Sequence, residues 1–440
     1  VERVEVRTAR GLKGEIIPPP DKSISHRAVI CASFAEGQSR VRNFLKAEDP
    51  ISTANAVKML GVEIQEANNG DLLIQGRGLF GLKEPFDVIQ CGNSGTTIRL
   101  LSGVLAGSPF FSILTGDDSL KQRPMARIIH PLKDMGADIS GRAQDRYPPL
   151  AIHGKSLHPI SYAMPVASAQ VKSCLLFAGL YAEGVTALTE PYRSRDHTER
   201  MLGAMGVGIE VEGPTIRVRG LGSRARGQGL RALDMTVPAD FSSAAFFIAA
   251  CLLVPDSEIL IKGVGINPTR TGFLDVINDM GASIELIETR EESGEPVADV
   301  YCRTAPGMRG IKIGKDRIPS LIDEFPILCV LATQAEGSTE IRGAEELRVK
   351  ESDRIKVMAA EIKKFGVEVE EYPDGIAIQG KASLIGSEVD SHGDHRVAMS
   401  LSIAGLIAEG TTTITDASCV NISYPGFYEK LRSLARGSGR

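Results

Sequence analysis

Cationic side chains open several apolar runs of this chain, where the dipole of a helix would disfavour them. In Asp21-Lys22-Ser23-Ile24-Ser25-His26-Arg27, directly after Pro18, Pro19 and Pro20, two cations precede the apolar stretch 28–35, which reads as the body of a buried helix. Asp21 or Ser23 can serve as its N-cap. Lys22 and Arg27 then crowd the positive end of the helix, at a cost of about 0.3–1 kcal/mol each. An anionic ligand reverses that sign, because free N–H groups at a helix start already form an anion site. Two readings stand open on this stretch alone: a solvated basic helix start and an anion clamp.

Other starts repeat the theme. Gly92-Asn93-Ser94-Gly95-Thr96-Thr97-Ile98-Arg99 is a glycine-hydroxyl loop whose backbone can approach an anion closely, although such loops are usually plain turns. Ala167-Ser168-Ala169-Gln170-Val171-Lys172 sets a hydroxyl and an amide before Cys174-Leu175-Leu176-Phe177. Asp323-Glu324-Phe325-Pro326 places acids in a first helical turn, so at least one of the two is expected to cap. In Asp394-His395-Arg396, Asp394 can cap while Arg396 again opposes the dipole. Arg123, in Ser119-Leu120-Lys121-Gln122-Arg123-Pro124-Met125, precedes an outer helix as a possible clamp. Arg348-Val349-Lys350-Glu351-Ser352-Asp353-Arg354 reads as another helix start, with Lys350 and Arg354 one turn apart on one face. Any one of these runs is unremarkable as a solvated face. Together they fit a small substrate with several anionic groups, for which arginine supplies bidentate contacts and lysine a point charge.

Composition limits the alternatives. The 440 residues exceed one ordinary core, and 42% hydrophobic with 24% charged residues is the balance of a soluble globular protein. A net charge of −5 argues against bulk nucleic-acid binding. No apolar run reaches the ~18 residues of a membrane span, and Val1-Glu2-Arg3-Val4 does not begin a signal peptide. Seven cysteines, odd in number, scattered and without a Cys-x-x-Cys pair, read as buried free thiols in a reducing compartment. A cytoplasmic protein without a structural metal is expected.

An internal repeat organises these starts. Five segments share one grammar, an amphipathic helix, a glycine and an alternating strand; their glycines are Gly61, Gly136, Gly206, Gly281 and Gly366. Each fits the left-handed residue that closes a helix. A second series of helices, apolar nearly all round, alternates with the first and belongs in the interior. The unit is a buried helix, a strand, a surface helix and two strands, six times over. The sixth unit ends at its last helix, near Phe427-Tyr428-Glu429-Lys430-Leu431, and the stretches Val4-Glu5-Val6-Arg7 and Gly14-Glu15-Ile16-Ile17 can supply its missing strands. Two domains follow, 21–237 and a discontinuous 1–20 plus 238–440, with proline-marked crossings at 18–20 and 237–240 as a two-strand hinge.

The ordered set of motifs resembles the 5-enolpyruvylshikimate-3-phosphate synthases, a family of enolpyruvyl transferases, across essentially the whole chain. The resemblance implies an α/β fold of two similar domains, each of three βαβαββ units in an inside-out α/β barrel, with the active site in the cleft between them. It implies transfer of the enolpyruvyl group of phosphoenolpyruvate to the 5-hydroxyl of shikimate 3-phosphate, with release of phosphate, no metal and no organic cofactor. Carried over residue by residue, Lys22, Ser23, Arg27, Ser168, Ala169, Gln170, Arg195, Asp323 and Lys350 would hold shikimate 3-phosphate. Lys22, Asn93, Gly95, Arg123, Gln170, Arg354 and Arg396 would hold phosphoenolpyruvate. Asp323 is the expected base and Glu351 the expected acid, with Lys22 assisting.

Two departures matter. A lysine that many family members carry near the C-terminus is absent from Asn421-Ile422-Ser423-Tyr424-Pro425. Gly95, whose replacement by alanine accompanies glyphosate insensitivity in part of the family, is present, so sensitivity is expected, although Leu100 resembles the insensitive branch. The related transferase acting on UDP-N-acetylglucosamine uses a loop cysteine, and residues 115–124 contain none. A non-catalytic repeat scaffold or ring clamp on nucleic acid conflicts with the acidic balance and the absence of a basic stripe. Small-molecule substrates, no nucleic-acid or membrane partner, and a monomer are expected.

Overall fold

The computed structural model describes residues 2–222 and 229–436. In chain order the elements are β1 (Val4–Arg7) and β2 (Lys13–Ile16); α1 (Lys22–Ser33), β3 (Gln38–Arg42), α2 (Glu48–Met59), β4 (Glu63–Glu66) and β5 (Leu72–Gln75); then β6 (Ile89–Gln90), α3 (Gly95–Gly107), β7 (Phe111–Thr115), α4 (Ala126–Asp134), β8 (Asp138–Gly141), the single turn α5 (Arg142–Asp145) and β9 (Tyr147–His153). Next come β10 (Ser161–Ala163), α6 (Ala169–Tyr181), β11 (Val185–Thr189), α7 (His197–Ala204), β12 (Ile209–Glu212), β13 (Thr215–Arg219) and β14 (Asp234–Thr236). The remainder is α8 (Phe241–Leu253), β15 (Glu258–Gly265), α9 (Gly272–Asp279), β16 (Ile284–Glu292), β17 (Glu295–Arg303), β18 (Lys312–Ile313), the short α10 (Ile318–Leu321), α11 (Phe325–Gln334), β19 (Ser338–Ile341), α12 (Arg354–Lys364), β20 (Val369–Tyr372), β21 (Gly375–Gln379), β22 (Glu388–Asp390), α13 (His395–Ile407), β23 (Thr411–Thr415) and α14 (Phe427–Arg436).

The chain forms two compact units. The N-unit comprises Pro20–Val237 with Glu292–Glu295; the C-unit comprises Val1–Pro19, Pro238–Glu291 and Pro296–Arg440. The uninterrupted assignment of 238–440 to one domain is therefore corrected at four residues. They sit in the N-unit, where Glu295 meets His197 Nδ1 (2.7 Å) and Gly294 accepts from Arg200 (2.8 Å). Pro20 also groups with the N-unit. Beside the crossings, Asp240 N–H donates to Pro19 O (2.8 Å).

Among the described residues six mixed sheets carry the repeat: β14-β3-β5-β4, β6-β7-β9-β8 and β10-β11-β13-β12 in the N-unit, and β2-β15-β17-β16, β18-β19-β21-β20 and β22-β23-β1 in the C-unit. In every sheet the first two strands named are parallel and the second and third antiparallel. In four of them the parallel pair flanks an interior helix directly. In the other two, the strands preceding α1 and α8 are exchanged: β2 joins β15 and β14 joins β3. The expectation that both N-terminal strands complete the sixth unit is thus half corrected. β1 pairs with β23, in register Val4 to Ile414, but β2 lies in the fourth sheet, leaving the sixth with three strands.

The interior helices are buried nearly all round, α8 along twelve of its thirteen residues. Each unit has its own apolar core, built around α1, α3 and α6 or around α8, α11 and α13. The outer helices end as their sequences indicate. Gly61, Gly136, Gly206, Gly281 and Gly366 all have φ between 85° and 95°. At Gly61 and Val62 the N–H groups return to Lys58 O and Val57 O (3.0 and 3.2 Å), the double bond of a Schellman closure. The seven cysteines are free, six of them buried. Among the described residues, no helix is long and apolar enough to cross a membrane.

Candidate active site

The N-unit gathers its site residues at the starts of α1, α3 and α6. Asp21 Oδ1 caps α1 through Ile24 N–H (2.8 Å) and so orients the turn that carries Lys22, Ser23 and Arg27. Lys22 Nζ meets Asp49 Oδ2 at 3.1 Å, an anchor from the first turn of α2 that the sequence reading missed. Arg27 is buried; its Nε donates to Thr198 Oγ1 (2.8 Å), Nη1 to Ser23 O (3.1 Å) and Nη2 to Ser173 Oγ (3.0 Å) and Ala169 O (3.4 Å). Burial, and then the nearby charge of Arg195, lowers its pKa to about 10. Arg195 Nη1 reaches Ser23 Oγ at 3.1 Å. The cations Arg27 and Arg195 therefore converge on one serine, an arrangement that an added phosphate would relieve.

At the start of α3, Ser94 caps through Thr97 N–H (3.0 Å), and Asn93 Oδ1 accepts from Arg123 Nη2 (2.6 Å). Gly95 is small for a reason: a Cβ there would lie 2.8 Å from Arg99 Nη1 and 3.4 Å from Arg123 Nη1. Arg99 has a role that its sequence motif does not reveal. Its Nη1 holds Gln170 Oε1 (2.5 Å) and its Nη2 holds Pro124 O (3.2 Å), while Gln170 Nε2 donates to Thr96 Oγ1 (2.9 Å). Only tertiary structure reveals those partners. Ser168 caps α6 through Val171 N–H (3.4 Å).

The C-unit gathers the remainder around one guanidinium. Arg354, fully buried, meets Asp394 Oδ2 through Nε (2.8 Å), Glu351 Oε2 through Nη2 (2.8 Å) and Asp323 Oδ1 through Nη1 (3.3 Å). Burial opposes its charge, but Asp394, Glu351 and Asp323 outweigh it and raise its pKa above the ordinary range. Asp394 caps α13 through Arg396 N–H (2.9 Å) and also accepts from Ser352 Oγ (3.1 Å). Burial would raise the Asp394 carboxyl, yet Arg354 holds it below the usual carboxylate value. Arg396 Nη2 lies 3.4 Å from Asp323 Oδ2. Lys350 has its pKa lowered by burial, with Asp323 and Glu351 pulling the other way.

Two local expectations are corrected here. Neither acid at the start of α11 caps it: Glu324 occupies the N-cap position without a side-chain cap and instead accepts from the Ser242 hydroxyl, while Asp323 serves the two arginines. Lys350 and Arg354 are not one helical turn apart, because Glu345–Val349 is a 3-10 turn and α12 begins at Arg354, capped by Asp353. Carboxylates, guanidiniums and an ammonium nonetheless stand together, able to bind anions and exchange protons.

The comparisons agree on one family. A family model for EPSP synthase (3-phosphoshikimate 1-carboxyvinyltransferase) matches residues 6–431. A 3-phosphoshikimate 1-carboxyvinyltransferase of Thermodesulfovibrio yellowstonii is 58% identical over 98% of this chain and 99% of its own length. One from Persephonella marina is 53% identical over 98% and 99%. The solved EPSP synthase of Acinetobacter baumannii superposes with a TM-score of 0.86 at 43% identity, covering 99% of this chain and 98% of that one. The enolpyruvyl transferase NikO of Streptomyces tendae shares the fold, with a TM-score of 0.77 at 18% identity over 98% and 96%. On this evidence the chain belongs to the EPSP synthase family.

Proposed function

We propose that the protein transfers the enolpyruvyl group of phosphoenolpyruvate to the 5-hydroxyl of shikimate 3-phosphate and releases inorganic phosphate, a step of aromatic amino-acid biosynthesis. The observation that carries this reading is the Arg354 cluster: two partly exposed carboxylates, Asp323 and Glu351, flank a buried guanidinium, with Arg396 beside Asp323. Proton-transfer groups thus stand among anion binders, as an addition–elimination on an anionic enol ester requires.

In this reading Lys22, Ser23, Arg27, Ser168, Ala169, Gln170, Arg195, Asp323 and Lys350 hold shikimate 3-phosphate. Lys22, Asn93, Gly95, Arg123, Gln170, Arg354 and Arg396 hold phosphoenolpyruvate. Asp323 takes the proton of the attacking hydroxyl as its oxygen bonds to the phosphate-bearing carbon. Glu351 supplies a proton to the methylene carbon, and Lys22 assists. The tetrahedral adduct then loses a proton from the new methyl group and expels phosphate, regenerating the double bond in the product.

The working state is a cytoplasmic monomer that needs no metal or organic cofactor and is inhibited by glyphosate. Support for the last point is Gly95 itself: a Cβ there would lie 2.8 Å from Arg99 Nη1, so the glycine keeps that space open. The product is the direct test: mass spectrometry of the mixture must show shikimate 3-phosphate gaining a carboxyvinyl group in step with phosphate. Transfer to UDP-N-acetylglucosamine instead would overturn the assignment.

A further inference from the structure

We infer that Lys172 is a positioning residue for the phosphate of shikimate 3-phosphate, acting through Arg195; this rests on the reading of Arg195 as a phosphate ligand. Lys172 lies in α6, two residues past Gln170, and its side chain is 1% exposed. A buried ammonium is tolerated only where its three donors are used. Here they go to Glu190 Oε2 (2.9 Å), Glu199 Oε1 (2.7 Å) and Ser194 O (3.2 Å). Glu190 and Ser194 belong to the connection from β11 into α7, and Glu199 to the first turn of α7. Glu190 tightens that connection further, accepting the Ser194 N–H (3.3 Å) and the Ser194 hydroxyl.

The anchors bracket the contacts that matter. Ser194 directly precedes Arg195, whose Nη1 reaches Ser23 Oγ (3.1 Å). Glu199 directly follows Thr198, whose hydroxyl accepts from Arg27 Nε (2.8 Å). One ammonium therefore fixes both ends of the segment that meets the start of α1. A well-packed apolar residue would fill the same volume of α6 with no ion to desolvate, but it could not hold Ser194 and Glu199 at once. The same helix that presents Ser168 and Gln170 thereby sets the reach of Arg195 from a second element.

A double-mutant cycle on steady-state kinetics tests this. Arg195→Ala should raise the KM for shikimate 3-phosphate. Lys172→Met should raise the same KM about tenfold, as loss of one charge-assisted contact does, with kcat within about twofold. In the Arg195→Ala background, Lys172→Met should change that KM by a smaller factor, the remainder passing through Thr198 to Arg27. An equal factor with and without Arg195, or a fall in kcat at unchanged KM, would overturn the inference. If Lys172→Met does not fold, Glu190→Gln, alone and with Arg195→Ala, runs the same cycle. An Arg195→Ala enzyme with unchanged KM overturns the reading of Arg195 itself, and the inference falls with it.

Discussion

Arg354 Nε and Asp394 Oδ2 stand 2.8 Å apart with both side chains essentially removed from solvent. Neither charge is stable there alone. Asp394 ties the start of α13 to the start of α12, and it holds the guanidinium that Glu351 and Asp323 also share. Removing Arg354 would leave Asp394 a buried uncompensated charge, at a cost of about 3–5 kcal/mol, whereas removing Asp394 leaves the guanidinium with Glu351 and Asp323 and costs less.

Asp394→Asn is accordingly expected to lower the unfolding free energy read from urea denaturation by about 1–3 kcal/mol and to reduce turnover. The pH dependence has a definite sign. The folded carboxyl titrates below its ordinary 3.8, so its stabilisation is fully present above that value and is lost as pH falls through the folded pKa. The variant should be less acid-sensitive than the parent in that range. Equal acid sensitivity in the two would refute the assignment.

His26 gives an acid effect nearer neutrality. It is wholly buried, with Nδ1 on Thr53 Oγ1 (2.6 Å), and burial, then Lys22 and Arg27, push its pKa well below 6.5. Below pH 6.5 the unfolded chain takes up a proton that the folded one refuses. Stability should then fall by about 1.4 kcal/mol per pH unit from this group until the folded pKa is reached. Urea midpoints at pH 7 and pH 5 should differ less in His26→Gln than in the parent; an unchanged difference would exclude His26 as the source.

Gly95→Ala tests the packing at the start of α3. The added Cβ would sit 2.8 Å from Arg99 Nη1, so the guanidinium that holds Gln170 must move. The KM for phosphoenolpyruvate should rise about tenfold, the scale of one misplaced methyl in a tight pocket, and glyphosate inhibition should weaken. The KM for shikimate 3-phosphate should rise less, through the displaced Gln170 alone. Unaltered values for both phosphoenolpyruvate and glyphosate would show that Gly95 faces neither.

Gly366→Ala isolates a backbone effect. Gly366 has φ 89° and nothing within 4 Å of a built Cβ, so the cost is conformational, about 1 kcal/mol. Chemical denaturation should register that loss without a change in kcat.

Gly366 also shows why part of the fold was legible. A helix closure is written in a few consecutive residues, and all five repeat glycines took the left-handed backbone expected of them. The partner of a strand is not local information: β2 follows the grammar of its sequence yet joins β15, because the exchange with β14 is decided in three dimensions. Site residues divide the same way. Arg27 and Arg396 declared themselves by opposing a helix dipole. Asp49 and Arg99 did not, since the side chains that give them meaning, Lys22 and Gln170, lie 27 and 71 residues away. Glu324 looked like a cap because the Ser242 hydroxyl that claims it cannot be read from its neighbours.

Phosphate release from phosphoenolpyruvate, followed with and without shikimate 3-phosphate in the parent, Asp323→Ala and Glu351→Gln enzymes, tests the central claim most directly. The account predicts release only when both substrates are present, and a loss of about 10²–10⁴ in turnover for each variant, the usual scale of a general acid or base. Release that does not need shikimate 3-phosphate, or near-parental turnover in both variants, would contradict it.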